Sequence, residues 1–244
     1  MSSIAAVIMA AGKGTRMKSS HSKVVQKVAG EPMVSHVFRT CKKIGAEKII
    51  TVVGHLKEEV MAAVGEGEIF AHQTELLGTG DAVMRAMNFI DESTDYVVIL
   101  SGDAPLVSEE TIKNALDFHI QNNFSCTVFT ACLDDAAKYG RIIKNEKGEL
   151  IKIVEFADAS DEEKKINEIN GGMYWFSAAD LKFALSKIDN NNAQGEYYLT
   201  DISKVLISEG EKVESHTIFD LTEIVGVNTL EDLAFCEDVL KNHR

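Results

Sequence analysis

The sequence predicts an α/β fold, a doubly wound and mostly parallel sheet with a smaller α+β lobe attached. Strand-length apolar runs rich in Val and Ile alternate with stretches of helical period through the first half of the chain, the pattern of βαβ units. Beyond Ala131 the rhythm changes to short runs joined by tight turns. A chain of 244 residues with 45% hydrophobic content can bury a full core, in the range of one large or two small domains.

The first apolar run, Ile4–Met9, is short and ends at a glycine loop, so it reads as a buried strand and not as a signal or membrane segment. Helix and strand patterns then follow in turn: Met33–Ile44, Lys48–Val53, Leu56–Val64, Glu68–His72, Ala82–Ile90, Tyr96–Leu100, Thr111–Ile120 and Cys126–Ala131. Pro32 suits a first-turn position, and Ser108 is a capping serine with Glu109 and Glu110 on the positive end of the helix dipole. Glu146-Lys147-Gly148 separates two runs as the turn of a hairpin. An acidic helical stretch is expected over Asp158–Lys165, a strand over Gly172–Phe176, and helices over Ala178–Lys187, Tyr197–Ser208 and Leu230–Lys241. The expected layout is a nucleotide-binding core over 1–131, a lobe over 132–215 lying across the open edge of the sheet, a return to the core over 216–228 and a terminal helix over 229–244.

Cys41, Cys126, Cys132 and Cys236 form no Cys-x-x-Cys pair, so they read as reduced core thiols of a cytoplasmic protein. The formal net charge of -13 leaves no sustained basic stripe for a nucleic-acid polymer. Against that background, residues 1–30 carry five positive charges and no negative one. Lys13 and Arg16 flank the glycines of Ala10-Ala11-Gly12-Lys13-Gly14-Thr15-Arg16-Met17, and Lys23 and Lys27 follow. Glycines expose backbone N–H groups to close approach and the cations make a local positive well, so a polyphosphate is the expected guest. The dinucleotide fingerprint fails because position 17 is Met, and the Walker spacing is absent.

Two further stretches carry chemistry. Asp103, in Ser101-Gly102-Asp103-Ala104-Pro105, lies at the carboxyl end of a buried strand, where open α/β sheets bind ligands, and its hard oxygens suit Mg²⁺. Gln73-Thr74-Glu75-Leu76-Leu77-Gly78-Thr79-Gly80 offers an amide and exposed backbone groups for a base edge. The seven His residues show no metal-ligand spacing, and the eight Met read as core filler.

Taken together with Lys23-Val24, Tyr139-Gly140-Arg141-Ile142, the block Asn192–Asp201 and Gly226-Val227-Asn228, these motifs resemble the sugar nucleotidyltransferases. The resemblance is closest to the uridylyltransferase domain of bacterial N-acetylglucosamine-1-phosphate uridylyltransferases and covers nearly the whole chain. It implies a Rossmann-like fold of the nucleotide-diphospho-sugar transferase type and a Mg²⁺-dependent transfer from UTP to N-acetylglucosamine 1-phosphate. By that resemblance Ala10, Ala11, Gly12 and Gly14 hold the nucleotide, Lys13 and Arg16 the triphosphate, and Lys23 the α-phosphate and the incoming sugar phosphate. Gln73, Gly78 and Thr79 meet uracil and ribose, Asp103 and Asn228 bind Mg²⁺, and Gly140, Glu155, Asn170 and Glu196 line the sugar pocket. Arg16, Lys23 and Asp103 form the catalytic set.

The chain departs from the family pattern at Ser22, Leu76, Ala157 and Gly171, where the family commonly has Pro, Gln, Lys and Thr, and it continues Thr229-Leu230-Glu231-Asp232 after Asn228. Leu76 removes an amide near the base and Gly171 a hydroxyl near the sugar. The family's acetyltransferase repeats are missing, which implies a stand-alone enzyme or a truncated one, monomeric or weakly oligomeric. Two rival readings stay open: the same chemistry with another nucleotide and another sugar 1-phosphate or phosphocholine, or a non-catalytic nucleotide-binding regulator.

Overall fold

A computed structural model describes residues 2–17 and 19–242. Its centre is β1 (Ile4–Met9), whose side chains alternate between two cores: Ala5 and Val7 face one side of the sheet, Ala6 and Ile8 the other. After two short strands, β2 (Lys27–Val28) and β3 (Glu31–Pro32), come α1 (Met33–Lys43), β4 (Lys48–Val53), α2 (Lys57–Val64), β5 (Ile69–His72), α3 (Thr79–Met87), β6 (Tyr96–Ser101), α4 (Glu109–Asn122) and β7 (Cys126–Cys132). The hairpin β8 (Arg141–Lys144) and β9 (Leu150–Val154) precedes β10 (Glu168–Ser177), α5 (Ala178–Leu185), α6 (Asp201–Ser208), β11 (Val213–Thr217) and α7 (Leu230–Asn242).

The sheet runs β11-β7-β10-β6-β1-β4-β5, with β8 joined to β10 and β9 to β8. β1 is parallel to both β4 and β6, and β5 is parallel to β4. The chain therefore winds outward on one side of β1 and then returns to the other, so the ends of β1 and β6 form the switch point where such sheets open a crevice. α1, α2 and α4 cover one face through Val37, Val60 and Ile112; α3, α5 and α6 cover the other through Val83, Leu181 and Ile202.

Several expectations need correction. The strand expected at Gly172–Phe176 spans Glu168–Ser177 and runs antiparallel between β6 and β7, inside the central sheet instead of over its edge. Its buried Trp175, whose indole N–H donates to the Ile112 carbonyl at 2.9 Å, fills the core under α4. Asp158–Lys165 holds only a 3₁₀ turn, Glu163–Lys165, because its charged side chains give no apolar stripe to bury. The helix expected from Tyr197 begins at Asp201, since the Tyr197 backbone instead pairs with Leu77 and Gly80. Pro32 precedes α1 and closes the β2–β3 pair, while Ser108 does cap α4, its Oγ accepting from Thr111 N–H at 3.1 Å. Cys132 is exposed at the end of β7, whereas Cys41, Cys126 and Cys236 are buried thiols.

α7 returns the chain to the glycine loop. Cys236 and Val227 pack with Met17, Val28 and Met33 in a small separate core. Among the described residues no helix is long and apolar enough to cross a membrane.

Candidate active site

Loops leaving β1, β5 and β6 converge at the switch point. Ala10 donates its backbone N–H to Val52 and Gly102 to Met9, both at 2.9 Å, which prolongs the ladder just past the strand ends and seats both loops firmly. Gly14 has φ +60°, and a Cβ there would stand 2.5 Å from Lys23 Cβ. The glycine is what lets Lys23 pass beneath the loop. At Gly12 a Cβ would meet no protein atom within 4 Å, so the missing side chain leaves room that the protein itself does not use. Gly54 is tighter, its Cβ position 3.0 Å from Ala11 and from the Gln73 carbonyl.

Lys23 is the hub. Its Nζ donates to the Asp103 carboxylate and, at 3.1 Å, to Asn228 Oδ1, which also accepts from Arg16 Nη2 at 2.8 Å. Every partner is itself fixed. Ser101 Oγ donates to Asp103 Oδ1 at 2.6 Å, and Val227 N–H donates to the Asp103 carbonyl at 2.9 Å. Asn228 Nδ2 donates to the Gly226 carbonyl at 2.8 Å, which turns Oδ1 toward the cations. Asp232 accepts from the backbone N–H groups of Asn228 and Thr229 while Thr229 Oγ1 accepts from Asp232 N–H, a reciprocal cap that anchors Asn228 to the start of α7. Before Lys23, the Ser22 N–H donates to Glu59 Oε2 at 2.9 Å, and that bond is the main reason the Glu59 carboxyl is held below its ordinary range.

Asp103 and Asn228 thus aim two hard oxygens at one cationic head. That donor set fits a divalent cation such as Mg²⁺, for which the Lys23 ammonium stands as the present occupant. Arg16 and Lys13 are exposed at the mouth. Lys27 does not join them; it lines a groove with Leu233 and Glu237 of α7. Lys18 lies outside the described residues.

Beside the hub is a cavity of about 500 Å³ lined by the Ala10–Lys13 loop, Lys23, Gln73, Leu76, Gly78, Thr79, Asp103 and Glu196. Gly78 and Gly80 have a structural duty here: Cβ atoms would fall 2.5 Å and 2.9 Å from the Tyr197 carbonyl. Thr79 Oγ1 accepts from Leu199 N–H at 3.0 Å, so the 196–199 segment is laid against the loop after β5. Glu196, expected at the sugar, faces this nucleotide-side cavity.

Gly140, Glu155, Asn170 and Thr200 line a second cavity, of about 230 Å³, that shares Met9 and Thr79 with the first. Asn170 is set by its own neighbours: Oδ1 accepts from Gly172 N–H at 3.1 Å and Nδ2 donates to Tyr174 OH at 2.7 Å. Burial raises the Glu155 pKa, partly countered by a 3.0 Å hydrogen bond from Thr200 Oγ1. Glu155 and Thr200 also border a third cavity, of about 430 Å³, with Asp158, Asp201 and Lys204. Sequence reading gave Ser101, Thr200, Tyr174 and Asp232 no role; the first three act on other side chains and Asp232 on the backbone of Asn228 and Thr229, and none leaves a local motif.

The departures have structural counterparts. Leu76 lines the nucleotide-side cavity, Ala157 is exposed, and a Cβ on Gly171 would stand 2.5 Å from Ile224 Cδ1.

The model of the family "Nucleotidyl transferase" matches residues 5–220 of this chain. The chain belongs to the nucleotidyl transferase family. It is 44% identical over 236 residues to the bifunctional protein GlmU of Clostridioides difficile and 48% to that of Streptococcus gordonii, in each case 97% of this chain and 51% of the relative. This nucleotidyltransferase therefore spans about half the length of those relatives. A solved structure of a Bacillus anthracis protein assigned as a glucose-1-phosphate thymidylyltransferase superposes with a TM-score of 0.78, covering 98% of this chain and 96% of that one at 18% identity. That likeness establishes the Rossmann-like nucleotidyltransferase fold. The resemblance drawn from the motifs holds, and the chain is an enzyme of the nucleotidyltransferase class.

Proposed function

We propose that this nucleotidyltransferase uses Mg²⁺ to transfer the uridylyl group of UTP to N-acetylglucosamine 1-phosphate, giving UDP-N-acetylglucosamine, a cell-wall precursor, and pyrophosphate. The observation that carries the reading is the convergence of Lys23, Arg16, Asp103 and Asn228 beside a cavity lined by base-type contacts, which adjoins through Met9 and Thr79 a second cavity lined by sugar-type contacts.

The attacking group is a sugar-phosphate oxygen already ionised at neutral pH, so the protein need not abstract a proton. Among the described residues no histidine lines either cavity. The open Gly12 loop gives the triphosphate its berth, with Lys13 and Arg16 at the mouth neutralising the departing pyrophosphate. Lys23, on the wall of the nucleotide-side cavity, neutralises the α-phosphate and steers the incoming phosphate into line with it. Asp103 and Asn228 would hold Mg²⁺, which supplies further charge neutralisation on the phosphates. Asn170, Gly140 and Glu155 would orient the sugar. A nucleoside triphosphate substrate and unpaired thiols suit the cytoplasm; no nucleic-acid polymer or membrane is a partner, and the enzyme works as a monomer or weak homo-oligomer.

Leu76 and the Ile224 wall at Gly171 favour a second reading in which the chemistry is kept and the substrate pair differs. The test is pyrophosphate release with Mg²⁺, offering UTP, CTP, GTP, ATP and dTTP against N-acetylglucosamine 1-phosphate, glucose 1-phosphate and phosphocholine. Turnover confined to UTP with N-acetylglucosamine 1-phosphate is expected. Another preferred pair would establish the second reading, and nucleotide binding without pyrophosphate release would reject both in favour of a regulator.

A further inference from the structure

The base-facing amide of Gln73 is held from behind by a pair that takes no part in the chemistry above. Gln73 follows β5 directly and is 4% exposed, yet it lines the nucleotide-side cavity. Its Nε2 donates to the Gly78 carbonyl and to Asp81 Oδ2, both at 2.9 Å. A carbonyl and a carboxylate are acceptors only. Turning the amide over would set Oε1 against both, so its orientation follows from the chemistry of its partners and not from an assignment of O and N.

Asp81 is equally constrained. It is 4% exposed in the first turn of α3, where the helix dipole favours a negative charge. Its second oxygen, Oδ1, accepts from Arg85 Nε at 3.1 Å and Arg85 Nη2 at 2.8 Å, one helical turn on. The guanidinium neutralises Asp81 and fixes its plane, leaving Oδ2 aimed at the amide. Both Gln73 N–H groups are thereby used, and among the described residues Oε1 accepts no hydrogen bond, although it is not one of the sealed unpartnered atoms.

We infer that Asp81 and Arg85 are positioning residues for base selection: they lock Gln73 so that the cavity offers the base a hydrogen-bond acceptor, selecting a ring N–H and rejecting a ring nitrogen lone pair. Uracil presents such an N–H at N3; cytosine presents a lone pair at the same position, which would face Oε1 with no proton between them. Leaving Oε1 unpaired against a second acceptor is the kind of mismatch that discriminates strongly, because a buried polar group is left without a partner. This rests on the UTP reading of the site.

The experiment compares kcat/KM for UTP and CTP with N-acetylglucosamine 1-phosphate, together with calorimetric binding of each nucleotide, in the wild type, Asp81→Asn and Arg85→Met. In Asp81→Asn, Arg85 still claims the oxygen and so turns an NH₂ toward Gln73, which opposes the native amide orientation. The UTP-to-CTP ratio is expected to fall about tenfold or more in both kinetics and binding, the scale of one hydrogen bond. Arg85→Met, on an exposed surface, frees Asp81 to rotate and is expected to lower the ratio by a smaller factor. A UTP preference in the wild type that neither variant moves, with both nucleotides weakened by the same factor, would overturn the inference while leaving the UTP reading intact. A wild type that prefers CTP or ATP would overturn the two together.

Discussion

Lys23 Nζ and the Asp103 carboxylate form an ion pair whose side chains are 15% and 14% exposed, on the wall of the nucleotide-side cavity. The pair unites the two groups on which the proposed transfer depends most, a cation for the reacting phosphate and an oxygen donor for a divalent metal. Asp103→Ala is expected to lower pyrophosphate release by at least about a hundredfold, the scale of losing a preorganised electrostatic contact. The fold should survive, because Lys23 keeps Asn228 Oδ1 at 3.1 Å. Circular dichroism and the Mg²⁺ dependence of turnover check this, and a near-normal rate would remove Asp103 from the site.

Lys23→Ala separates two roles for the same ammonium. If it acts on charge developing in the transition state, kcat falls by roughly two orders of magnitude or more with KM little changed. A change confined to KM would assign it to uniform ground-state binding instead. The same variant removes the cation that now occupies Asp103 and Asn228, so in the absence of nucleotide Mn²⁺ should bind it more tightly than the wild type. Electron paramagnetic resonance of free Mn²⁺ measures that directly.

The two glycines of the first loop are expected to respond in opposite ways. Gly14→Ala forces a Cβ at φ +60° to within 2.5 Å of Lys23 Cβ, and should cost about 1–2 kcal/mol of stability while displacing the lysine. Gly12→Ala meets no protein atom within 4 Å and should leave stability within about 0.5 kcal/mol of wild type. On the proposed reading its methyl would occupy space needed by the triphosphate, so nucleotide affinity is what should fall. Thermal unfolding and nucleotide binding, run side by side, tell the two apart; a Gly12→Ala variant with unchanged affinity would show that the triphosphate does not approach there.

The alternation of periods made the first half legible because each βαβ unit is encoded locally: β1, β4, β5, β6 and their helices lie within a few residues of where hydrophobic patterning puts them. β10 was legible as a strand but its place was not, since its position between β6 and β7 depends on antiparallel pairing with residues about 40 to 80 positions away, which no local period records. Gly12, Lys23 and Asp103 stood out by charge and loop chemistry. Asp81 and Arg85 did not, because an acid and a base at i and i+4 look the same whether they dress a helix surface or support a buried amide. Gly78 and Gly80 read as ligand-facing, and the Tyr197 carbonyl shows that close backbone packing also requires them.

Glu155 sets a pH dependence of stability. Burial raises its pKa above 4.5, so the fold favours the protonated form. That contribution is fully present below the unfolded value near 4.5 and is lost as pH rises through the higher folded value. Glu155→Gln keeps an oxygen for the Thr200 hydroxyl but carries no charge. Its melting temperature should exceed that of the wild type above neutrality and converge with it near pH 4.5. Parallel curves for the two proteins across that range would mean that Glu155 is well solvated, through the cavity it shares with Asp158.

Gly171 tests whether the sugar side is built around a missing side chain. It sits in the irregular stretch of β10 between Asn170 and Tyr174, where the register with β7 shifts. A Cβ there would stand 2.5 Å from Ile224 Cδ1, 2.8 Å from its Cγ1 and 2.9 Å from the Phe129 carbonyl. Gly171→Ala should therefore destabilise by about 1–3 kcal/mol through overpacking. Ile224→Ala alone leaves a cavity and should cost about 2–5 kcal/mol. Combined, the new methyl enters space the isoleucine has vacated, and the double variant should be more stable than the sum of the single effects, by about 0.5 kcal/mol or more. Additive effects would mean that the Phe129 carbonyl, which cannot move without breaking the β7 ladder, carries the clash. Because Asn170 precedes Gly171, the same double variant should also recover KM for the sugar phosphate toward wild type, whereas recovery of stability without recovery of KM would separate the packing of β10 from the orientation of Asn170.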